Sequence, residues 1–114
     1  MGKHGVSFIH EPGALLAGGC VAVPNAVMLS PRLRAGEKIL YALILDHAQN
    51  QMGYLTESSM QEDLGCDERQ LHAWLLGLER GRLIRVERLE RGGLRCEILP
   101  LPEHLSGEGG RKRA

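Results

Sequence analysis

The stretch TESSMQEDLGCDERQLHAWLLGLERG, residues 56–81, decides the fold. Thr56 is a helix N-cap residue, and Met60 and Leu64 give the helix after it an apolar side. Gly65 closes that helix. Asp67 is a second N-cap, and Gln70 stands three residues on, in the capping-box position. Leu71, Trp74, Leu75 and Leu78 then recur at i, i+3, i+4 and i+7, one face of a regular helix. Gly81 is its expected terminator. Two helices joined by a tight glycine turn make a helix-turn-helix unit.

Period-two segments follow the pair. Residues Leu83 to Leu89 alternate, and so do Leu94 to Ile98. Between them Arg91-Gly92-Gly93 signals a turn, so the two segments form a hairpin with an arginine at its tip. Upstream, Ala35 to Asn50 carries the strongest helix signal, apolar on nearly every side and so central and buried. Ser30-Pro31 breaks a short helical turn over Ala26 to Leu29, for which Asn25 is the expected cap. Cys20 to Val23 reads as a short strand stopped by Pro24, available as a third strand beside the hairpin. The expected fold is α+β and mainly α: a three-helix core with a C-terminal hairpin. Residues 1–18 read as a flexible arm, 19–102 as the folded domain, and 103–114 as a disordered basic tail ending Arg111-Lys112-Arg113.

Composition narrows the classes. The chain has 114 residues, 43% hydrophobic and 25% charged, which suits one folded domain. Formal net charge is zero, so only a local basic surface could attract nucleic acid. Cys20, Cys66 and Cys96 are odd in number and widely spaced, with no C-x-x-C pair; neither a disulfide framework nor a structural zinc site is expected. Free thiols and the lack of a long apolar run fit a cytoplasmic protein. No Ser–His–Asp set, phosphate loop or carboxylate pair is present, so no enzyme, cofactor or metal is expected.

The segments Val23-Pro24-Asn25, Gly36 to Leu43, Leu64-Gly65 and Leu78-Glu79-Arg80-Gly81-Arg82-Leu83-Ile84 together resemble the winged helix-turn-helix domain of replication initiators, DnaD-like primosome proteins and phage regulators. The resemblance spans roughly residues 20–99. It implies that the second helix of the pair reads double-stranded DNA and that the hairpin is a wing. Carried onto this chain, the reading helix runs from Asp67 to Arg80. Arg69, Ala73, Leu76 and Arg80 point away from the apolar stripe, flanked by Gln70, His72 and Gly77. Arg69 and Gln70 suit guanine or adenine edges, while Arg88, Arg91 and Arg95 on the hairpin suit phosphates or a minor groove. The implied DNA-binding set is Arg69, Gln70, His72, Ala73, Arg80, Arg88, Arg91 and Arg95.

Ordinary structural roles compete with several of these. Trp74 belongs to the core by its helical position. His72 has a solvated-surface reading, and the remaining histidines are scattered. Cys66 at a helix start is open to a lowered thiol pKa, but a small residue packed in a turn is the simpler reading. Asp67 and Glu68 put two carboxylates at the start of the reading helix, where phosphates would be repelled. Leu76 on the outer face suits a protein contact. The expected function is DNA binding in transcription or replication control, with a homodimer or a protein partner. The alternative is a winged protein-interaction module that does not bind DNA.

Overall fold

The computed structural model describes residue 5 and residues 19–50, 55–90 and 93–103. The expected arm, apart from Gly5, the tail from residue 104, and the Arg91-Gly92 part of the turn lie outside them. The elements in order are α1 (Asn25–Met28), α2 (Ala35–Asn50), β1 (Leu55–Thr56), α3 (Glu57–Leu64), α4 (Glu68–Arg80), β2 (Ile84–Arg88) and β3 (Gly93–Ile98). The fold is mixed α+β, mainly helical, with one antiparallel three-stranded sheet ordered β1-β3-β2. None of the described helices is long and apolar enough to cross a membrane.

Local rules set most boundaries. Thr56 accepts from the Ser59 backbone N–H at 3.0 Å, and the Ser59 hydroxyl receives the Thr56 N–H at 3.3 Å. Asp67 and Gln70 repeat that reciprocal cap on α4, at 2.8 and 3.1 Å. Such caps satisfy backbone donors that a helix start would otherwise leave unpaired. Gly65 ends α3 in the left-handed region, φ 64° and ψ 40°.

Two expectations are corrected. Cys20 to Val23 forms no strand; Val21 and Val23 instead rest against the core. The free edge of β3 is taken by β1, with Leu55 opposite Leu94 and Thr56 opposite Gly93. Thr56 is thus both the end of a strand and the cap of α3. Second, α1 begins at Asn25 and its cap is Pro24, whose carbonyl accepts from Val27 and Met28 at 3.0 and 3.1 Å. Asn25 makes no side-chain cap. Gly81 caps α4 as expected, in right-handed geometry at φ −78°, and the left-handed residue is Arg82 after it, at φ 62°. The N–H of Arg82 reaches Glu79 O and that of Leu83 reaches Leu78 O, both at 3.0 Å, the bonding pattern of a Schellman cap.

The core joins Val27, Leu40, Tyr41, Ile44, Met60, Leu71, Leu75, Leu78, Leu83, Ile84 and Leu94, all buried. Each buried aliphatic side chain contributes roughly 1.5–3 kcal/mol relative to exposure. Trp74 is half-buried and rests against this core, as its spacing requires. Its indole lies on Gly36 of α2. A Cβ at Gly36 would meet Trp74 Cε2 at 2.1 Å and Cζ2 at 2.3 Å. On the hairpin, Ile84, Val86, Leu94, Cys96 and Ile98 share the inner face. Arg85, Glu87, Arg95 and Glu97 share the outer one.

Two predictions follow from these contacts. Gly36→Ala should destabilise by about 1–3 kcal/mol in urea unfolding, because the indole must leave its seat. Arg82→Gly should stabilise by about 1 kcal/mol, raising the melting temperature by several degrees, since glycine adopts this backbone conformation without a Cβ penalty.

Candidate nucleic-acid interface

The apolar stripe of α4 fixes the rotation of that helix. Leu71, Leu75 and Leu78 are buried, so residues about 180° around the axis face outward. Arg69, Gln70, Ala73, Leu76 and Arg80 are all exposed, Leu76 at 46%. Among the described residues, β2 and β3 included, nothing covers this outward face.

The expected contact residues divide by what else they touch. Gln70 uses its carbonyl oxygen in the cap of α4, which leaves its amide NH2. His72 is half-buried and its Nε2 meets Glu57 Oε1 at 3.1 Å. Arg88 pairs with the other oxygen of Glu57. Arg95 pairs with Glu87 at 3.3 Å across the hairpin, beside an Arg85–Glu97 pair at 3.2 Å. Arg91 lies outside the described residues. The hairpin's outer face is thus a ladder of alternating sign whose described arginines all have carboxylate partners.

By contrast, Arg34, Arg69, Arg80 and Arg82 make no ion pair among the described residues. Two of them, Arg69 and Arg80, stand on the outward face of α4. Arg82 follows just beyond it. Its left-handed backbone sets it beside the end of α4, ahead of the hairpin. Together with Arg32 and Arg80 it borders an open groove of about 430 Å³.

Glu57 couples three elements. It starts α3, receives His72 from α4 and Arg88 from β2, and its pKa is held below the ordinary 4.5, chiefly by the His72 hydrogen bond. Glu57, Glu68 and His72 each bring one potential ligand atom within 4.8 Å of the others. Both Glu57 oxygens are already engaged, one of them by a guanidinium, so this cluster is a closed polar network and no open cation seat. Burial pushes the Cys96 thiol up to about 11. Cys66 is also raised, by burial and then by Asp67, contrary to the lowering that its helix-start position suggested.

No family model and no curated protein matches the chain. Among solved structures, it is similar to the chain titled "Structure of Rep-DNA complex", with a TM-score of 0.57 and 16% identity. That alignment covers 94% of this chain and 99% of the other. At this identity the likeness concerns the fold, a mainly helical α+β domain.

The Glu57 network predicts a pH effect. A carboxylate whose folded pKa is depressed contributes stability that is present above its unfolded value and lost as pH falls through the folded one. Wild-type stability should therefore drop below about pH 4.5, and part of that drop should be absent in Glu57→Gln. Urea unfolding of both proteins at pH 6 and pH 3.5 measures it; parallel losses would refute the assignment. The pair is partly solvent-exposed, so the difference is small, of order 0.5 kcal/mol.

Proposed function

We propose that the chain is a winged helix-turn-helix protein that binds double-stranded DNA without catalysis, in replication or transcription control. The element order supports the wing: helix, short strand, two capped helices joined by a glycine turn, then a hairpin whose second strand also pairs with the short strand. The observation that carries the reading is the open outer face of α4 with its unpaired Arg69 and Arg80. A major groove admits one such helix. Arg69, one position into α4, suits a guanine edge; the Gln70 amide, still free to donate, suits a neighbouring base. The fold neighbour's own title places that protein on DNA and favours replication over transcription for this one. A homodimer reading two half-sites fits the single reading helix per protomer.

Exposed Leu76 in the middle of the same face favours the second reading, a protein-interaction module. Binding to a random-sequence duplex separates them. Under the DNA reading, affinity is measurable at 50 mM salt and falls steeply by 200 mM. Absence of binding at the lower salt would overturn it. On a selected site, Arg69→Ala should cost about 1–3 kcal/mol and relax preference at one base position, measured by fluorescence anisotropy across a panel of single-base variants. Glu57→Gln should tighten binding to every sequence, because it removes a negative charge and releases Arg88.

A further inference from the structure

The groove beyond the end of α4 has a composition that the hairpin and the helix face do not share. It is bordered by Arg32, Leu33, Glu37, Gly77, Arg80 and Arg82. Three guanidinium groups and one carboxylate belong to it. The carboxylate is committed inward: Glu37 is 8% exposed, its Oε1 accepts the Arg34 backbone N–H at 2.9 Å, and its Oε2 lies against Gly77. The arginines form the rim. Arg80 and Arg82 have no ion-pair partner among the described residues, whereas Arg85, Arg88 and Arg95 each have one.

The backbone of Arg82 supplies a separate argument. Its φ of 62° is one that glycine adopts freely and arginine adopts at a cost. A glycine stands one position earlier, where right-handed geometry does not need it. The backbone at position 82 gives no reason for a long cationic side chain; the reason lies in what that side chain meets. A helix C-terminus favours a nearby cation, which accounts for Arg80 but is satisfied equally well without a left-handed arginine.

The geometry points to a phosphate site on the rim of this groove, held by Arg80 and Arg82 with Arg32 beside them. Guanidinium forks match the oxygens of a phosphate, and the inward-held Glu37 keeps the anion at the rim. Arg80 also ends the outward face of α4, so a duplex lying along that face delivers a backbone phosphate to the groove. This source rests on the DNA reading above. A free phosphate group, as inorganic phosphate or on a nucleotide, is the same chemistry from another source.

Arg82→Gly tests the site without endangering the fold, because glycine suits the backbone there; unchanged or raised thermal stability verifies this. Arg80→Gln is the second variant. Duplex binding is measured against salt for wild type and both variants, and inorganic phosphate is titrated while the Gly77 and Gly81 amide resonances are followed. If the groove holds a DNA phosphate, Arg82→Gly weakens all duplexes alike, by roughly fivefold or more. The slope of log affinity against log salt also becomes shallower by about one. Wild-type duplex binding that keeps its affinity and slope in both variants overturns the groove and leaves the DNA reading standing. No duplex binding, with phosphate-induced shifts that vanish in Arg82→Gly, keeps the groove for free phosphate and removes the DNA reading. If neither duplex nor phosphate binds, both are overturned.

Discussion

Two glycines mark where α2 and α4 come closest, and they do so reciprocally. Gly36 on α2 lies beneath Trp74 of α4, and Gly77 on α4 lies beneath the carboxylate of Glu37 from α2; a Cβ at either would collide at about 2 Å. A side chain at Gly36 would drive the indole off its seat, and one at Gly77 would push the Glu37 carboxylate aside. Dense packing makes the first of these costly. This seat, together with the buried Leu71, Leu75 and Leu78, fixes α4 about its own axis. Everything said of its outer face depends on that rotation: a third of a turn would bury Arg69 or expose Leu71.

Charge is distributed so that a neutral chain still carries an uncompensated basic strip. The hairpin neutralises itself through the Arg85–Glu97 and Glu87–Arg95 pairs, which sit directly opposite one another in the strand register. Glu57 engages His72 and Arg88 together. Surface pairs of this kind contribute under about 1 kcal/mol each, so a phosphate could compete for the wing arginines. It would nonetheless have to displace a carboxylate that already holds them. Arg69, Arg80 and Arg82 demand no such exchange. The proposed interface therefore centres on α4 and its C-terminal end more than on the hairpin.

The sequence disclosed what depends on near neighbours. The Asp67–Gln70 capping box, the Thr56 cap, the Ala35–Asn50 helix, the apolar stripe of α4 and the hairpin were legible, because each is a relation among residues within one or two turns or strands. What depends on distant partners was not. Glu57 meets residues 15 and 31 positions away, and no spacing announces it. β1 has only two residues, too few for a periodic pattern, whereas Cys20 to Val23 has the β-branched look of a strand and none of the pairing. At the end of α4 the glycine signal located the stop at Gly81, whereas nothing in the residue type marks Arg82, just after it, as the left-handed position.

The small number of arginines without an ion pair among the described residues bears on how the proposed function operates. Each phosphate neutralised adds about 0.9 to the steepness of the salt dependence, and the affinity gained from counterion release grows with that count. Arg69 is suited to a base, which leaves Arg34, Arg80 and Arg82 as the arginines without an ion pair among the described residues that suit phosphates. That set by itself gives only a shallow salt dependence. Two linked copies double the count and convert the second contact into an intramolecular event with a high effective concentration. The proposed DNA reading is thus met more easily by two copies than by one, and Leu76, Met28, Leu29 and Ile39 are exposed apolar surface that a second copy would cover.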